Sequence, residues 1–260
     1  MNLKKVGIIC HPDVEERELI EKIIEKLENK NIEILFDPII ARNVNAKATE
    51  INEMDIDLAL ILGGDGTILW TLKELKCEPL ILSINAGRFG FLSELKPDNA
   101  LSGLDLLIDG KFKIDKRTRI KINKRFEALN EVVVLSEMPG TLLEFEIKLN
   151  DKNNKNKNLF KFRSDGVIVS TQTGSTAYNL SAGGPIIYPD ARAFAVTPIN
   201  PFMHKQRPIV VSDDSKISIK LIRKNRNAQM LCDGILNGKI HPFESVNVEK
   251  SKRVVKFVRF

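Results

Sequence analysis

Five apolar residues, Leu58-Ala59-Leu60-Ile61-Leu62, run directly into Gly63-Gly64-Asp65-Gly66-Thr67, and an apolar helical pattern begins at Ile68. That order reads as a buried strand, a tight glycine turn and a helix N-terminus. A strand with no polar alternation is covered on both faces, which points to a parallel sheet between helices. The turn exposes backbone N–H groups at the helix start, a ready site for phosphate oxygens. Asp65 does not suit a plain anion site, because a carboxylate repels phosphate. It suits a base that takes a proton from a hydroxyl about to attack a phosphate.

The rest of the first half repeats the strand–helix alternation. Val6–Cys10 is a short apolar run, and Pro12-Asp13 is expected to open a helix, with Asp13 as N-cap and Glu16 completing a capping box. Leu19, Ile20, Ile23, Ile24 and Leu27 recur on one helical face. Ile32–Phe36 reads as a strand, Thr49–Met54 as a short helix, Ile68–Lys76 as the helix after the glycine turn and Leu80–Ile84 as a second buried strand. Ligands of such sheets gather at the carboxyl ends of the strands, where Gly63–Thr67 and Asn85–Gly90 both fall. Pro97-Asp98 starts another helix, with Leu101, Leu104, Leu107 and Ile108 on its apolar face. Beyond Asp109-Gly110 the period drops to two, in Arg119–Ile122, Leu142–Leu149, Ile217–Ile222 and Val254–Val258, as in an antiparallel β domain. The expected division is an α/β domain at 1–108 and a β-rich domain at 109–250, with a strand at about 250–260 returning to the first.

Composition excludes more than it selects. The net charge of +6 suits an anionic small substrate as well as nucleic acid. The run Asp151–Asn158 reads as a solvated loop. Aromatic residues make up only 6% and do not interleave with basic ones, which argues against a nucleic-acid surface. Three scattered cysteines, Cys10, Cys77 and Cys232, form no CxxC, and the three histidines, His11, His204 and His241, form no HExxH, so a zinc site is not expected. No signal-peptide pattern and no apolar stretch near the ~20 residues that span a bilayer are found, so the expected location is cytoplasmic.

A second dense block spans 163–185. Of Ser170–Asn179, every residue except Gly174 and Ala177 carries a hydroxyl or an amide. A polar loop between the strand Val167–Ser170 and Gly183-Gly184-Pro185 suits donors and acceptors reading a sugar and a base, with Gly174 admitting a close backbone approach and Tyr178 able to stack. Asn130-Glu131 precedes the apolar run Val132–Leu135; Asn suits an adenine edge or ribose hydroxyls, and Glu accepts from a diol, although such a pair is also common in plain turns. The standard nucleotide signatures are missing. There is no GxxxxGK[ST], no GxSxG, and position 69, where the dinucleotide fingerprint needs glycine, is Leu.

Taken in order, Gly63–Thr67, Asn85-x-Gly87-x-Phe89-Gly90-Phe91-Leu92, Asn130-Glu131, Ser164-Asp165-Gly166, Thr173–Tyr178 and Ser181–Pro185 resemble the NAD kinase family. GGDG alone is shared with lipid kinases; the long second loop is the more specific part. The resemblance implies an N-terminal Rossmann-like α/β domain and a C-terminal β-sandwich-like domain. It implies phosphorylation of the 2′-hydroxyl of the adenosine ribose of NAD to give NADP. The donor would be ATP, another nucleoside triphosphate or polyphosphate, with a divalent cation, Mg2+, and the enzyme a homodimer or homotetramer without nucleic-acid or membrane partners.

By the same resemblance, Asp65 is the base on the ribose hydroxyl, and Gly63, Gly64, Gly66 and Thr67 hold donor phosphates or the NAD pyrophosphate through backbone N–H groups. Asn130 and Glu131 bind the adenosine part, and Thr173, Gly174, Ser175, Thr176, Ala177 and Tyr178 enclose the nucleoside. Arg163 and Asp165 sit near the far end of the dinucleotide, contributed across a subunit interface. Phe91 borders the adenine pocket or, alternatively, is a core aromatic. No metal ligand is assigned.

The chain departs from the family pattern in places. Gln172 stands where proline is usual, which frees that loop; Ile235 follows Asp233-Gly234 where a polar residue is usual and receives no contact; and His204 reads as an ordinary loop histidine. The rival readings are a diacylglycerol- or sphingosine-type lipid kinase, which should carry an apolar entrance, and a regulatory NAD(H)-binding protein without chemistry, in which Asp65 would serve no purpose.

Overall fold

The structure, a computed structural model, describes residues 3–87, 90–150, 156–202, 206–224 and 226–260. His204 and most of the lysine-rich run after Asn150 lie outside them. Two compact units divide the chain, Met1–Lys116 with Val255–Phe260, and Arg117–Val254.

The first unit is α/β. Its elements are β1 (Lys5–Cys10), α1 (Arg17–Glu28), β2 (Glu33–Phe36), α2 (Pro38–Val44), β3 (Leu58–Leu62), α3 (Asp65–Glu74), β4 (Leu80–Ile84) and α4 (Ala100–Ile108). The sheet runs β2-β1-β3-β4, and Lys256 and Phe257 of the chain's last strand lie in register with Leu80 and Ile81; every pairing is parallel. One face packs Ile8, Leu58, Leu60 and Leu82 against Leu19, Ile23 and Leu27 of α1 and Leu104 and Leu107 of α4. On the other face, a Cβ added to Gly7 would lie 2.7 Å from Ile56 Cδ1 and 3.0 Å from Met54 Sδ. With both faces covered, β3 and β4 are buried at every position, which is why β3 reads as an unbroken apolar run and β4 as one broken only by Ser83.

The local differences from the sequence reading have identifiable causes. Asp13 does not cap α1, which starts at Arg17. The residues Pro12–Val14 form a turn instead, in which His11 Nδ1 accepts the Asp13 N–H at 3.2 Å and the His11 carbonyl accepts the Val14 N–H at 3.1 Å. Thr49–Met54 holds only a single 3-10 turn, Ile51–Glu53, and the helix of that region comes earlier, as α2. Asp37 caps it: Oδ1 accepts the Ile40 N–H at 2.7 Å, while Oδ2 takes the Cys10 N–H of β1 at 2.9 Å. Burial pushes the Asp37 carboxyl upward and, with the nearby Asp37, the Cys10 thiol up to about 12. The glycine turn is also shorter than it reads, because α3 already begins at Asp65.

The second unit is an antiparallel sandwich. It contains β5 (Lys113–Ile122) from Arg117 onward, β6 (Phe126–Ala128), β7 (Glu131–Ser136), β8 (Leu143–Asn150), β9 (Asn156–Ser164) and β10 (Gly166–Ser170). A four-residue helix, α5 (Tyr178–Ser181), follows, then β11 (Ala193–Ile199), β12 (Ile209–Ser212), β13 (Lys216–Leu221), β14 (Ala228–Cys232), β15 (Ile235–Ile240) and β16 (Ser245–Arg259) as far as Val254. Residues Asn156–Asn158 thus belong to β9 rather than to a loop. One sheet is ordered β12-β11-β10-β7-β14-β15; in the other, β9, β8, β13 and the first part of β16 lie side by side. Val132, Val134, Val167, Val169 and Phe194 from the first sheet meet Leu143, Phe145, Ile147, Ile217 and Ile219 from the second in one core.

Candidate active site

In the first unit, the glycines of the turn do different jobs. Gly63 has φ +156°, and an added Cβ would lie 2.4 Å from Thr67 Oγ1 and 2.8 Å from Thr67 Cβ, so this position is closed by the protein itself. The Gly63 N–H donates to the Ile84 carbonyl at 3.0 Å and the Thr67 N–H to the Gly64 carbonyl at 3.0 Å. Those two N–H groups, expected on phosphate, are therefore spent on the fold. A Cβ at Gly64 or Gly66 would meet nothing within 4 Å, which leaves open space over the start of α3. Of the four residues expected on phosphate, Gly64 and Gly66 are the two beside open space.

Asp65, the first residue of α3, turns back onto the loop after β4. Its Oδ2 accepts the Phe91 N–H at 2.9 Å and its Oδ1 the Leu92 N–H at 3.2 Å. Gly90 makes this approach possible, since a Cβ there would lie 2.7 Å from Asp65 Oδ1. A carboxylate has roughly four acceptor positions, so two N–H donors orient the group and leave capacity for a hydroxyl proton. Phe91 is 66% exposed, which removes the core-aromatic alternative and leaves it a surface residue of this loop.

In the second unit, Asn130 and Glu131 are 8% and 5% exposed, yet Asn130 Oδ1 and Glu131 Oε2 are buried with no hydrogen-bond partner. Buried polar atoms are rarely left unpaired, and a bound ligand or an ordered water would complete these two. The backbone that carries them is fully occupied. The Asp233 carboxylate accepts the N–H groups of Leu129 (2.7 Å), Asn130 (2.7 Å) and Glu131 (3.1 Å). Thr171 Oγ1 donates to the Leu129 carbonyl at 2.6 Å, and the Thr171 N–H donates to the Asn130 carbonyl at 2.8 Å. Burial, reinforced by the Asp233 charge, raises the Glu131 carboxyl to about 8.

The polar loop is largely self-satisfied. Gly174 does admit a close backbone approach, but of the chain itself: a Cβ there would lie 2.1 Å from the Asn130 carbonyl oxygen. The Ser175 hydroxyl, expected on the nucleoside, is wholly buried, donates to the Gln172 carbonyl at 2.7 Å and accepts the Ile187 N–H at 3.0 Å. Gln172 is not freed by the missing proline, because its amide donates to the Ala191 carbonyl. Asn179 braces the loop from below, with Nδ2 on the Ser175 and Pro185 carbonyls and Oδ1 accepting from Thr197. Thr173 is buried, Thr176 and Ala177 are partly covered, and Tyr178 is exposed.

Ser170 pairs with Glu131 and Gly166 with Leu135, so Arg163 and Asp165 lie beyond the opposite end of β10 from Asn130 and Glu131. Four residues of strand separate the two ends by about 13 Å. Asp165 accepts from Asn200 Nδ2 at 3.1 Å, and Arg163 lies over the Phe202 ring at 5.1 Å. The residue missed in the sequence is Asp233. Asp233-Gly234 between apolar runs signals a two-residue hairpin, and their φ values of 48° and 76° fit one; the reach of the carboxylate to Leu129–Glu131 leaves no local trace.

Comparison with known proteins fits this arrangement. Residues 6–112 match the family model described as ATP-NAD kinase N-terminal domain, and residues 129–260 match the ATP-NAD kinase C-terminal domain. The chain belongs to the NAD kinase family. It is therefore a phosphotransferase that acts on NAD. An NAD kinase from Methanothermobacter thermautotrophicus is 38% identical over 99% of this chain and 92% of the relative, and one from Chlorobium phaeobacteroides is 35% identical over 98% and 91%. Among solved structures, an Archaeoglobus fulgidus NAD kinase in complex with ATP aligns with TM-score 0.80 at 27% identity, covering 97% of this chain and 92% of that one. The yeast NADH kinase complexed with NADH shares the fold at TM-score 0.88 and 24% identity, covering 99% and 84%. Family membership decides against the lipid-kinase and non-catalytic readings. Among the described residues no helix is long and apolar enough to cross a membrane.

Proposed function

We propose that this NAD kinase transfers the terminal phosphoryl group of ATP to the 2′-hydroxyl of the adenosine ribose of NAD, with Asp65 as the base. The observation that carries the reading is the Asp65 carboxylate, fixed by the Phe91 and Leu92 N–H groups beside the open backbone of Gly64 and Gly66. The hydroxyl proton passes to Asp65, the ribose oxygen bonds to the γ-phosphorus, and the bond from phosphorus to the β,γ-bridging oxygen breaks to release ADP. In so loose a transition state, positioning and charge neutralisation carry most of the rate. Other nucleoside triphosphates and polyphosphate present the same terminal group and are candidate donors.

The family is consistent with a divalent cation requirement. Among the described residues no three His, Cys, Asp or Glu side chains cluster as a cage. Mg2+ needs only one or two carboxylates when phosphates supply the other ligands, so a cation arriving with the donor's phosphates fits this residue set. Asn130 and Glu131 take the adenosine end of NAD through their unpaired oxygens, with Thr173, Thr176, Ala177 and Tyr178 closing over it. Arg163 and Asp165, beyond the opposite end of β10, are assigned to the far end of a dinucleotide, contributed across the interface of a homodimer or homotetramer, and the enzyme is assigned to the cytoplasm.

The test is Asn130→Ala. The KM for NAD should rise by about 10-fold or more, in line with loss of a buried hydrogen-bonding group, while the KM for ATP stays within about 2-fold. Equal weakening of both substrates would remove Asn130 from the NAD site.

A further inference from the structure

We propose that Asp233 and Thr171 are positioning residues: from opposite sides they clamp the backbone of Leu129–Glu131 so that the Asn130 and Glu131 side chains are presented, unpaired, to the dinucleotide. This inference rests on the NAD reading above. Three consecutive N–H groups end on the one Asp233 carboxylate, and the Asp233 N–H returns to the Glu131 carbonyl at 3.0 Å. On the other side, Thr171 donates twice, from Oγ1 to the Leu129 carbonyl and from N–H to the Asn130 carbonyl, and its Oγ1 also accepts the Gly174 N–H at 3.1 Å. Every backbone polar group of Asn130 and Glu131 outside the β7 ladder is thereby used, while Asn130 Oδ1 and Glu131 Oε2 are not.

Such a clamp has a function only if the two side chains must be held in one place. A buried segment left with unpaired oxygens would otherwise turn them toward partners, since an unsatisfied buried polar atom is costly. Holding the main chain on both sides denies it that relaxation. The ligand then meets a prearranged pair and does not pay to order it. Asp233 lies in the left-handed region, φ 48°, which Asn tolerates as well as Asp. Asp233→Asn therefore keeps the hairpin and changes only the chemistry, setting an amide NH2 against N–H donors. Thr171→Val keeps shape and removes the hydroxyl, and Thr171→Ser restores it.

The experiment measures NADP formation with NAD and ATP varied separately, together with Tm. In Asp233→Asn and Thr171→Val, the KM for NAD should rise about 10-fold, with the KM for ATP and kcat within about 3-fold of the parent and Thr171→Ser within about 2-fold in every constant. Folded variants with an unchanged KM for NAD, or with a loss only in kcat or Tm, overturn the proposal by reducing the clamp to a structural role. If Asp233→Asn does not fold, the Thr171→Val and Thr171→Ser pair decides by the same criteria. A parent protein that forms no NADP would instead overturn the kinase reading, a result distinguishable from normal turnover with an unmoved KM.

Discussion

Asp65→Asn is expected to lower kcat by about 10³-fold or more while leaving NAD affinity within about 3-fold, as loss of a general base does. The substitution keeps the shape of the side chain at the head of α3. It replaces an oxygen that accepts from Phe91 or Leu92 with an amide NH2, so one loop hydrogen bond is lost, at about 1 kcal/mol. Stability should therefore fall only slightly while turnover collapses. Steady-state kinetics with calorimetric NAD binding separate the two effects. Near-normal turnover in folded Asp65→Asn would remove Asp65 as the base and leave it a tether for the loop after β4.

The second large effect is expected at Gly174. A Cβ there would sit 2.1 Å from the carbonyl oxygen of Asn130, 2.4 Å from its carbonyl carbon and 2.6 Å from its Cα, all backbone atoms that cannot swing aside. Gly174→Ala must push the Asn130 segment or the loop from Thr173 to Tyr178 out of place. Overpacking of this kind costs about 3 kcal/mol, and a shift of about 1 Å in a positioning segment costs on the order of 100-fold in kcat/KM. Thermal denaturation and kcat/KM for NAD read both. A variant with unchanged Tm and unchanged kcat/KM would mean that the loop and Asn130 are not in the contact described.

Those two positions show what the sequence could and could not reveal. Leu58–Leu62 and Leu80–Ile84 are legible to the residue because burial on both faces makes a run that is apolar throughout in the first and broken only by Ser83 in the second, and Gly63 and Asn85 end the runs abruptly. Helix starts were less legible. Asp13 looked like a cap, yet His11 supplies the acceptor and the helix waits until Arg17, while Asp37, a true cap, fronts a helix too short to show a period.

The site divides in the same way. Asp65, Asn130 and Glu131 could be picked out as residues, with the resemblance supplying their grouping. Which hydroxyls of the polar loop face outward was hidden, because composition does not distinguish Ser175, spent on Gln172 and Ile187, from a hydroxyl available to a ligand. Nor could any local pattern report that Asp233 holds Asn130 across 103 positions of chain.

The most direct test of the whole account is the position of the transferred phosphate. Purified protein is incubated with NAD, ATP and Mg2+, and the product is assayed with an NADP-specific dehydrogenase and by 31P NMR. ADP and NADP are expected in equal amounts, with a single new monoester on the 2′-oxygen of the adenosine ribose. ATP hydrolysis without NADP, or a phosphate on any other oxygen of the dinucleotide, would contradict it.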